Sequence, residues 1–191
     1  MTQVTGVVVR EATLDDADAI AHIHVACWRH TYAGLMPQEL LDSLDESARA
    51  EQWRRMLATG GVEPVALRTL VSVDADDRVT GFAQVGPETP GEHASCSEPH
   101  PPERHGDVGV LYAIYLDPPV IGTGVGRTLL GAAMAHLRDM DVDCAVLDVL
   151  PGNTRAREVY ERAGWLAIGE PWDVQHGAHV LPHQRYELRL R

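Results

Sequence analysis

Leu116-Asp117-Pro118-Pro119-Val120-Ile121-Gly122-Thr123-Gly124-Val125-Gly126-Arg127-Thr128-Leu129-Leu130 is the stretch on which the reading of this chain turns. The near-continuous apolar run from Val108 to Leu116 reads as a buried strand. It meets a glycine-rich loop, and the loop opens straight into an amphipathic helix. Gly122, Gly124 and Gly126 are separated by single residues. Lacking Cβ atoms, they let the backbone approach a ligand and leave several N–H groups pointing outward at a helix start. Such a start is an anion site suited to phosphate, so a phosphorylated ligand is expected here. The spacing departs from the dinucleotide fingerprint, which wants Gly-x-Gly-x-x-Gly after the first strand and an acidic ribose partner about twenty residues on.

Hydrophobic residues make up 45% of the 191, an ordinary globular composition, and one domain over residues 1–191 is expected. The net charge of −12 sets aside nucleic acid and anionic membrane as partners, because an acidic surface repels both. All 16 basic residues are arginine. A Walker-type phosphate loop and Schiff-base chemistry with pyridoxal phosphate or an aldolase substrate each need a lysine, so these classes are excluded. Cys27, Cys96 and Cys144 form an odd set without paired spacing, which predicts free thiols in a reducing compartment. The start of the chain shows no basic region before a long apolar stretch, so neither a secretory signal nor a membrane span is expected. A cytoplasmic location follows.

A short strand is expected at Gly6–Arg10, then a capped helix from Thr13 to about Thr31, with further helical pieces at Pro37–Leu44 and Ser47–Leu57. Thr69–Val73 and Val79–Val85 flank a turn-rich Asp74–Arg78 and predict a hairpin. A long polar loop, Pro87–Asp107, precedes the strand Val108–Leu116. After the glycine loop come a helix to about Met140, a strand at Ala145–Leu150, a helix at Asn153–Ala163, and closing strands at Leu166–Gly169 and Arg185–Leu190. A hairpin in the middle and strand–helix alternation later predict a mixed sheet covered by helices.

A second segment is Leu150-Pro151-Gly152-Asn153-Thr154-Arg155-Ala156-Arg157-Glu158-Val159-Tyr160-Glu161-Arg162-Ala163-Gly164-Trp165. Asn153 can cap a helix, Ala156 lies one turn on, and Tyr160 sits two turns from the cap on the same face. A small residue beneath a tyrosine leaves room for a ligand tail. Together the two segments resemble the GCN5-related N-acetyltransferase (GNAT) superfamily, bacterial small-molecule type. There the first is a Gln/Arg-x-x-Gly-x-Gly/Ala pyrophosphate loop, and the second an Asn-x-x-Ala-x-x-x-Tyr helix ending in Gly-Phe. The order of elements resembles that family across nearly all of the chain. The resemblance implies an α/β fold with a central mixed, mostly antiparallel sheet, a splayed parallel strand pair and flanking helices.

It also implies chemistry. Acetyl-CoA would lie where the strands at 108–116 and 145–150 splay, with backbone near Tyr115 and Leu116 bonding the pantetheine arm. Ile121 opens the loop, and the amides of Gly122, Thr123, Gly124, Val125, Gly126 and Arg127 would cradle the pyrophosphate. Asn153 matches a cofactor contact, and no metal is implied. In a ternary complex the primary amine of a small molecule would attack the thioester directly. The Leu116 N–H would serve the thioester oxygen, and Tyr160, also a cofactor contact, the departing thiolate. Trp28 and Tyr32, one turn apart, could line the acceptor pocket, with aromatic core packing the competing account. Relatives commonly dimerise, which leaves a homodimer open.

Two positions depart from the family pattern. Ile121 stands where Gln or Arg is usual, removing a side-chain contact that Arg127 could replace. Val110 stands where histone-type relatives carry a catalytic Glu, so the base is left among His105, Asp107, His30 and Tyr32. These departures motivate one alternative, a non-catalytic acyl-CoA-binding sensor; peptide or protein N-terminal acetylation is another. Histidines at 22 and 24, at 93, 100 and 105 beside Cys96, and at 176, 179 and 183 lack the paired spacing of a zinc site.

Overall fold

The structure is a computed structural model and describes residues 6–59, 61–62, 65–88, 108–140, 142–176 and 178–190. Seven strands form one sheet: β1 (Val8–Glu11), β4 (Arg68–Val73), β5 (Val79–Pro87), β6 (Val108–Leu116), β7 (Cys144–Val149), β9 (His179–Arg189) and β8 (Leu166–His176), in that spatial order. The sheet is antiparallel apart from β6 with β7. β2 (Gly61–Val62) and β3 (Val65–Ala66) pair separately.

Alternation along the strands gives the sheet two apolar faces. Leu70, Ala83, Leu111, Leu147 and Tyr186 turn to one side. There they meet Leu129, Ala133 and Leu137 of α4 (Val125–Asp139) and Tyr160 of α5 (Thr154–Arg162). Val71, Val73 and Phe82 turn to the other. They pack on Ile20 and Ile23 of α1 (Ala17–Thr31) and Trp53 of α3 (Glu46–Thr59). The short α2 (Gln38–Asp42) follows α1 and adds Leu41 to a third cluster with Met36, Leu150 and Leu181. Arg10 ties β1 to the turn before α1 through a two-pronged contact with the Asp16 carboxylate, at 2.7 and 2.9 Å. Burial alone would raise the pKa of Asp16; the Arg10 guanidinium and the Thr13 N–H and hydroxyl outweigh it and hold the carboxyl below its usual range.

The expected hairpin forms at Asp74–Arg78. The Asp74 carboxylate accepts from the N–H groups of Asp76 and Arg78 at 3.0 Å each, and Asp77 takes a positive φ. Three expectations need correction. The closing strands run to 11 residues each, far beyond Leu166–Gly169 and Arg185–Leu190. β8 is an edge strand open to solvent over most of its length, so its polar residues carry no apolar alternation to read. The cysteines are not all free: Cys144 is disulfide-bonded, while Cys27 is a buried free thiol and Cys96 lies outside the described residues. The inference of a reducing compartment from three free thiols therefore falls. No helix among the described residues is long and apolar enough to cross a membrane.

β6 and β7 pair only at Val108↔Cys144, Gly109↔Ala145 and Val110↔Val146. β6 continues for six residues beyond that point and β7 for three, without pairing to each other. On its other side β6 stays bonded to β5 as far as Gly81↔Leu116. Gly81 is obligatory there, since a Cβ would lie 2.6 Å from the Leu116 side chain and 2.9 Å from the Tyr115 carbonyl oxygen.

Candidate active site

A β-bulge accompanies the splay. Pairing between β5 and β6 jumps from Gln84↔Ala113 to Val85↔Leu111, leaving Tyr112 as the extra residue. The Tyr112 hydroxyl donates to the Pro87 carbonyl oxygen at 2.8 Å and fixes the kink. Beyond it the strands enclose a cavity of about 170 Å³ lined by Leu111–Leu116 of β6, Leu147–Val149 of β7, and Asn153, Arg155, Ala156, Val159 and Tyr160 from the α5 segment. Cys27, Thr31 and Tyr32 close it from α1 and its end, and Ile121 and Gly126 from the glycine loop. A second hollow of about 750 Å³ continues along the loop past Gly122, Gly124, Arg127, Thr154 and Arg155. A narrow slot thus opens onto a wide, arginine-bearing trough.

The loop is built as an anion cradle. Gly122 and Gly124 take φ of +92° and +104°, and Gly124 caps α4 in the left-handed conformation. Four amides, of Gly122, Gly124, Val125 and Gly126, find no backbone acceptor among the described residues. Those of Thr123 and Arg127 are committed, to Val120 and Gly124 at 3.3 and 3.0 Å, which narrows the set drawn from the sequence. The Val125 side chain itself is buried in the core, and the Thr123 hydroxyl turns back to the Val120 carbonyl at 2.7 Å. Arg155 reaches across from α5. Its guanidinium lies 2.8 Å from where a Gly122 Cβ would stand, and no carboxylate among the described residues pairs with it. Reading the motif alone missed Arg155, although it sits between Asn153 and Ala156.

α5 is held rigidly. Asn153 caps it by accepting from the Ala156 N–H at 3.2 Å. Arg157 donates to the Tyr186 hydroxyl at 2.9 Å and to the Pro151 carbonyl at 3.0 Å, and Tyr186 donates to Glu161 at 2.8 Å. Gly164 ends the helix at φ +94°, and Trp165 is fully buried. These locks point Tyr160 into the cavity, where its hydroxyl makes no hydrogen bond among the described residues. Burial raises the pKa of Tyr160 above the ordinary tyrosine range, and Tyr115 and Cys27 add to the rise. Burial does the same to Tyr32 and Tyr115. Three of the tyrosines on this slot, Tyr32, Tyr115 and Tyr160, are therefore neutral phenols.

Asp148 of β7 is the carboxylate on the cavity wall among the described residues. Arg185 of β9 grips both its oxygens at 2.8 Å. Sequence reading missed it because an alternating Leu147-Asp148-Val149 looks like an ordinary half-exposed strand; its meaning depends on β7 leaving β6. The base candidates read from the sequence fare differently. His30 is exposed and not on the wall, Tyr32 is on it, and His105 and Asp107 lie outside the described residues, as do His93 and His100. Val110 forms the last pair with β7. Trp28 packs on the Tyr32 ring at 5.5 Å and does not line the cavity. Among the described residues no group of three or more His, Cys, Asp or Glu could hold a metal.

Behind Tyr115 lies a buried aromatic box. His24 stacks on the Tyr115 ring at 5.1 Å and touches Trp28, Trp53 and Phe82. Neither ring nitrogen of His24 has a hydrogen-bond partner among the described residues. Burial, helped by Arg49, lowers its pKa to about 3.

The architecture is thus a splayed sheet with a glycine-rich loop beside the gap. The chain matches the family described as the Acetyltransferase (GNAT) family over residues 18–165, and it belongs to that family. It is 35% identical over 131 residues to a protein of Bacillus subtilis named as the uncharacterized N-acetyltransferase YuaI, covering 69% of this chain and 64% of that one. It is 40% identical over 77 residues to a mycothiol acetyltransferase of Geodermatophilus obscurus, covering 38% of this chain and 25% of the relative. The chain thus spans less than two thirds of the length of either. Among solved structures, PaiA N-acetyltransferase of Thermoplasma acidophilum in complex with coenzyme A superposes with a TM-score of 0.72 at 17% identity, over 97% of this chain and 99% of that one. YncA of Salmonella typhimurium, a putative acetyltransferase with its cofactor acetyl-CoA, gives 0.67 at 20%, over 98% and 95%. At such identities these two speak for the fold.

His24 generates a pH prediction. Its folded pKa lies below the unfolded value near 6.5, so between about 3 and 6.5 the unfolded chain binds more protons. Stability from this residue is complete above 6.5 and falls as pH drops, by about 1.4 kcal/mol per pH unit well inside the window. Denaturant unfolding of His24→Phe between pH 6.5 and 4 should show a shallower decline than the unsubstituted chain; equal slopes would remove His24 as the cause.

Proposed function

We propose that this chain, as a single catalytic domain, transfers the acetyl group of acetyl-CoA to the primary amine of a small molecule by direct attack in a ternary complex. The observation that carries the reading is the unpaired stretch of β6 with Leu116, Asn153 and Tyr160 gathered on one slot. Backbone groups of β6 left without a strand partner suit a pantetheine arm, whose amides add to the sheet as a strand would. The diphosphate would sit on the four free loop amides at the positive end of α4, with Arg155 across it. The relatives named N-acetyltransferase and mycothiol acetyltransferase support acetyl as the group transferred.

Each step has a residue. The Leu116 N–H at the end of β6 would stabilise the thioester oxygen as it gains charge. Asp148, held by Arg185, would position the incoming ammonium and take its proton, filling the role that Val110 cannot. Tyr160 would meet the departing thiolate. A thiol ionises near 8.5 and the buried phenol well above that, so full transfer of the phenolic proton is uphill. Tyr160 therefore acts as a hydrogen-bond donor, and the thiolate takes its proton from the amine or from water. Tyr32 lines the same slot and would face the acyl and acceptor groups.

The deciding experiment is thiol release from acetyl-CoA across a panel of free amines and amino-terminal peptides. Turnover with free amines is the expected result; release on peptides alone would replace the small-molecule acceptor, and coenzyme binding without release on any amine would favour a sensor. Tyr160→Phe should lower kcat by about 10²-fold, the worth of one transition-state donor. Asp148→Asn should lower it as well, and unchanged kcat in both would overturn these roles. Arg155→Ala should weaken coenzyme A binding by up to about fivefold, as for an exposed charge pair, with a smaller salt dependence. Pantetheine, lacking the diphosphate, should bind that variant and the parent alike in calorimetry.

A further inference from the structure

Two side chains on the slot beside Tyr32, those of Cys27 and Thr31, take no part in the steps above. Cys27 lies on the last turn but one of α1, nearly fully buried, and lines the cavity. Leu116, whose N–H is expected to hold the thioester oxygen, and Tyr160 line the same cavity. Behind Cys27 the Thr31 hydroxyl stands 3.5 Å from the sulfur, and Tyr32 closes the remaining side. With the thioester at Leu116, as proposed above, the acyl group would meet this wall.

We infer that Cys27, backed by Thr31 and Tyr32, sets the acyl-chain length, admitting acetyl and excluding propionyl and longer groups. The inference rests on the cavity being the thioester site, as proposed above. Two physical facts make the wall effective. The first is that α1 cannot retreat: Ile20, Ile23 and Val25 are essentially inaccessible, and its inner face is packed on Phe82 and Trp53. A close-packed interior gives way only by strain when a methylene is added. The second is that the thiol is inert. Burial raises the pKa of Cys27, so at neutral pH it presents a neutral, compact sulfur and not a nucleophile. Its contribution is its shape.

The test is kcat/KM for acetyl-, propionyl- and butyryl-CoA with one amine, in the parent, Cys27→Ala and Cys27→Val. A single methylene against a packed wall is worth about 10–200-fold, so the parent should favour acetyl over propionyl by about 10-fold or more. Cys27→Ala, which removes the sulfur, should cut that preference by about 10-fold. Cys27→Val, which thickens the wall, should lower acetyl-CoA turnover while free coenzyme A, carrying no acyl group, binds as before in calorimetry. A parent that uses propionyl as well as acetyl, or a Cys27→Ala enzyme with unchanged preference, would overturn the inference. Should Cys27→Ala fail to fold, the lost acetyl turnover of Cys27→Val at retained coenzyme affinity decides alone. Absence of coenzyme A binding to the parent would overturn the cavity reading as well, and so tells the two failures apart.

Discussion

The structure depends on one constraint: β6 and β7 are bonded for three residue pairs and then part. Parallel strands in a sheet normally continue their ladder, because an unbonded N–H or C=O inside a protein costs about 1–3 kcal/mol. Here the bulge at Tyr112 turns β6 while β5 keeps hold of its other edge as far as Leu116. β7 stays bonded to β9 along its whole length. Each strand is thus anchored on its outer side, and the gap between them cannot close by either one swinging across. The same geometry that leaves β6 incomplete makes it a template for an extended amide-bearing ligand.

The elements around the gap are correspondingly rigid, by different means on each side. α5 is locked through polar contacts, the Arg157–Tyr186–Glu161 chain and the Asn153 cap, so that Tyr160 is aimed without freedom to turn away. α1 is locked through apolar and aromatic packing, with His24 buried at the centre of the box and both its nitrogens without a partner among the described residues. That burial destabilises the fold in acid and nothing at the site gains a hydrogen bond from it. What the ring does supply is a flat surface beneath Tyr115, at the point where β6 becomes unpaired. Packing at this position is spent on holding the strand in place.

How much of this could be read from residues alone follows from what is local. The glycine loop and the Asn153–Tyr160 helix are sequence-contiguous, and both carry their geometry in short-range rules: left-handed glycines, a capping Asn, a three-four spacing. Strand β6 was legible to the residue because Val108–Leu116 is a near-continuous apolar run ending at Asp117-Pro118-Pro119. By contrast Asp148, Arg155 and Cys27 are ordinary in their own segments. Each acquires meaning only through residues distant in sequence: Arg185, Gly122, and the cavity wall that Cys27 shares with Leu116. β8 was under-read because an exposed edge strand has no buried face to impose alternation, and its tie to β9 is made by backbone. The three cysteines misled for a simpler reason: an odd number constrains only one of them to stay free.

The chemistry of the slot also bears on why a strong base is not needed in the proposed reaction. Its inner walls are apolar side chains, neutral phenols and a neutral thiol, with the Asp148–Arg185 pair and Arg155 as the charged groups at its edge. Moving an ammonium from water toward such a wall disfavours its charged form, which lowers the amine's pKa by desolvation alone. Asp148 needs only to accept a proton already made loose, and its pairing with Arg185 keeps it in place without leaving it a bare charge. In the proposed reaction the Leu116 N–H would act on the thioester oxygen across an apolar wall, where little screening lies between them. A neutral nucleophile, a neutral donor and a fixed backbone amide are thus mutually consistent. A glutamate introduced at Val110 would sit where the strands are still paired, one step short of the slot.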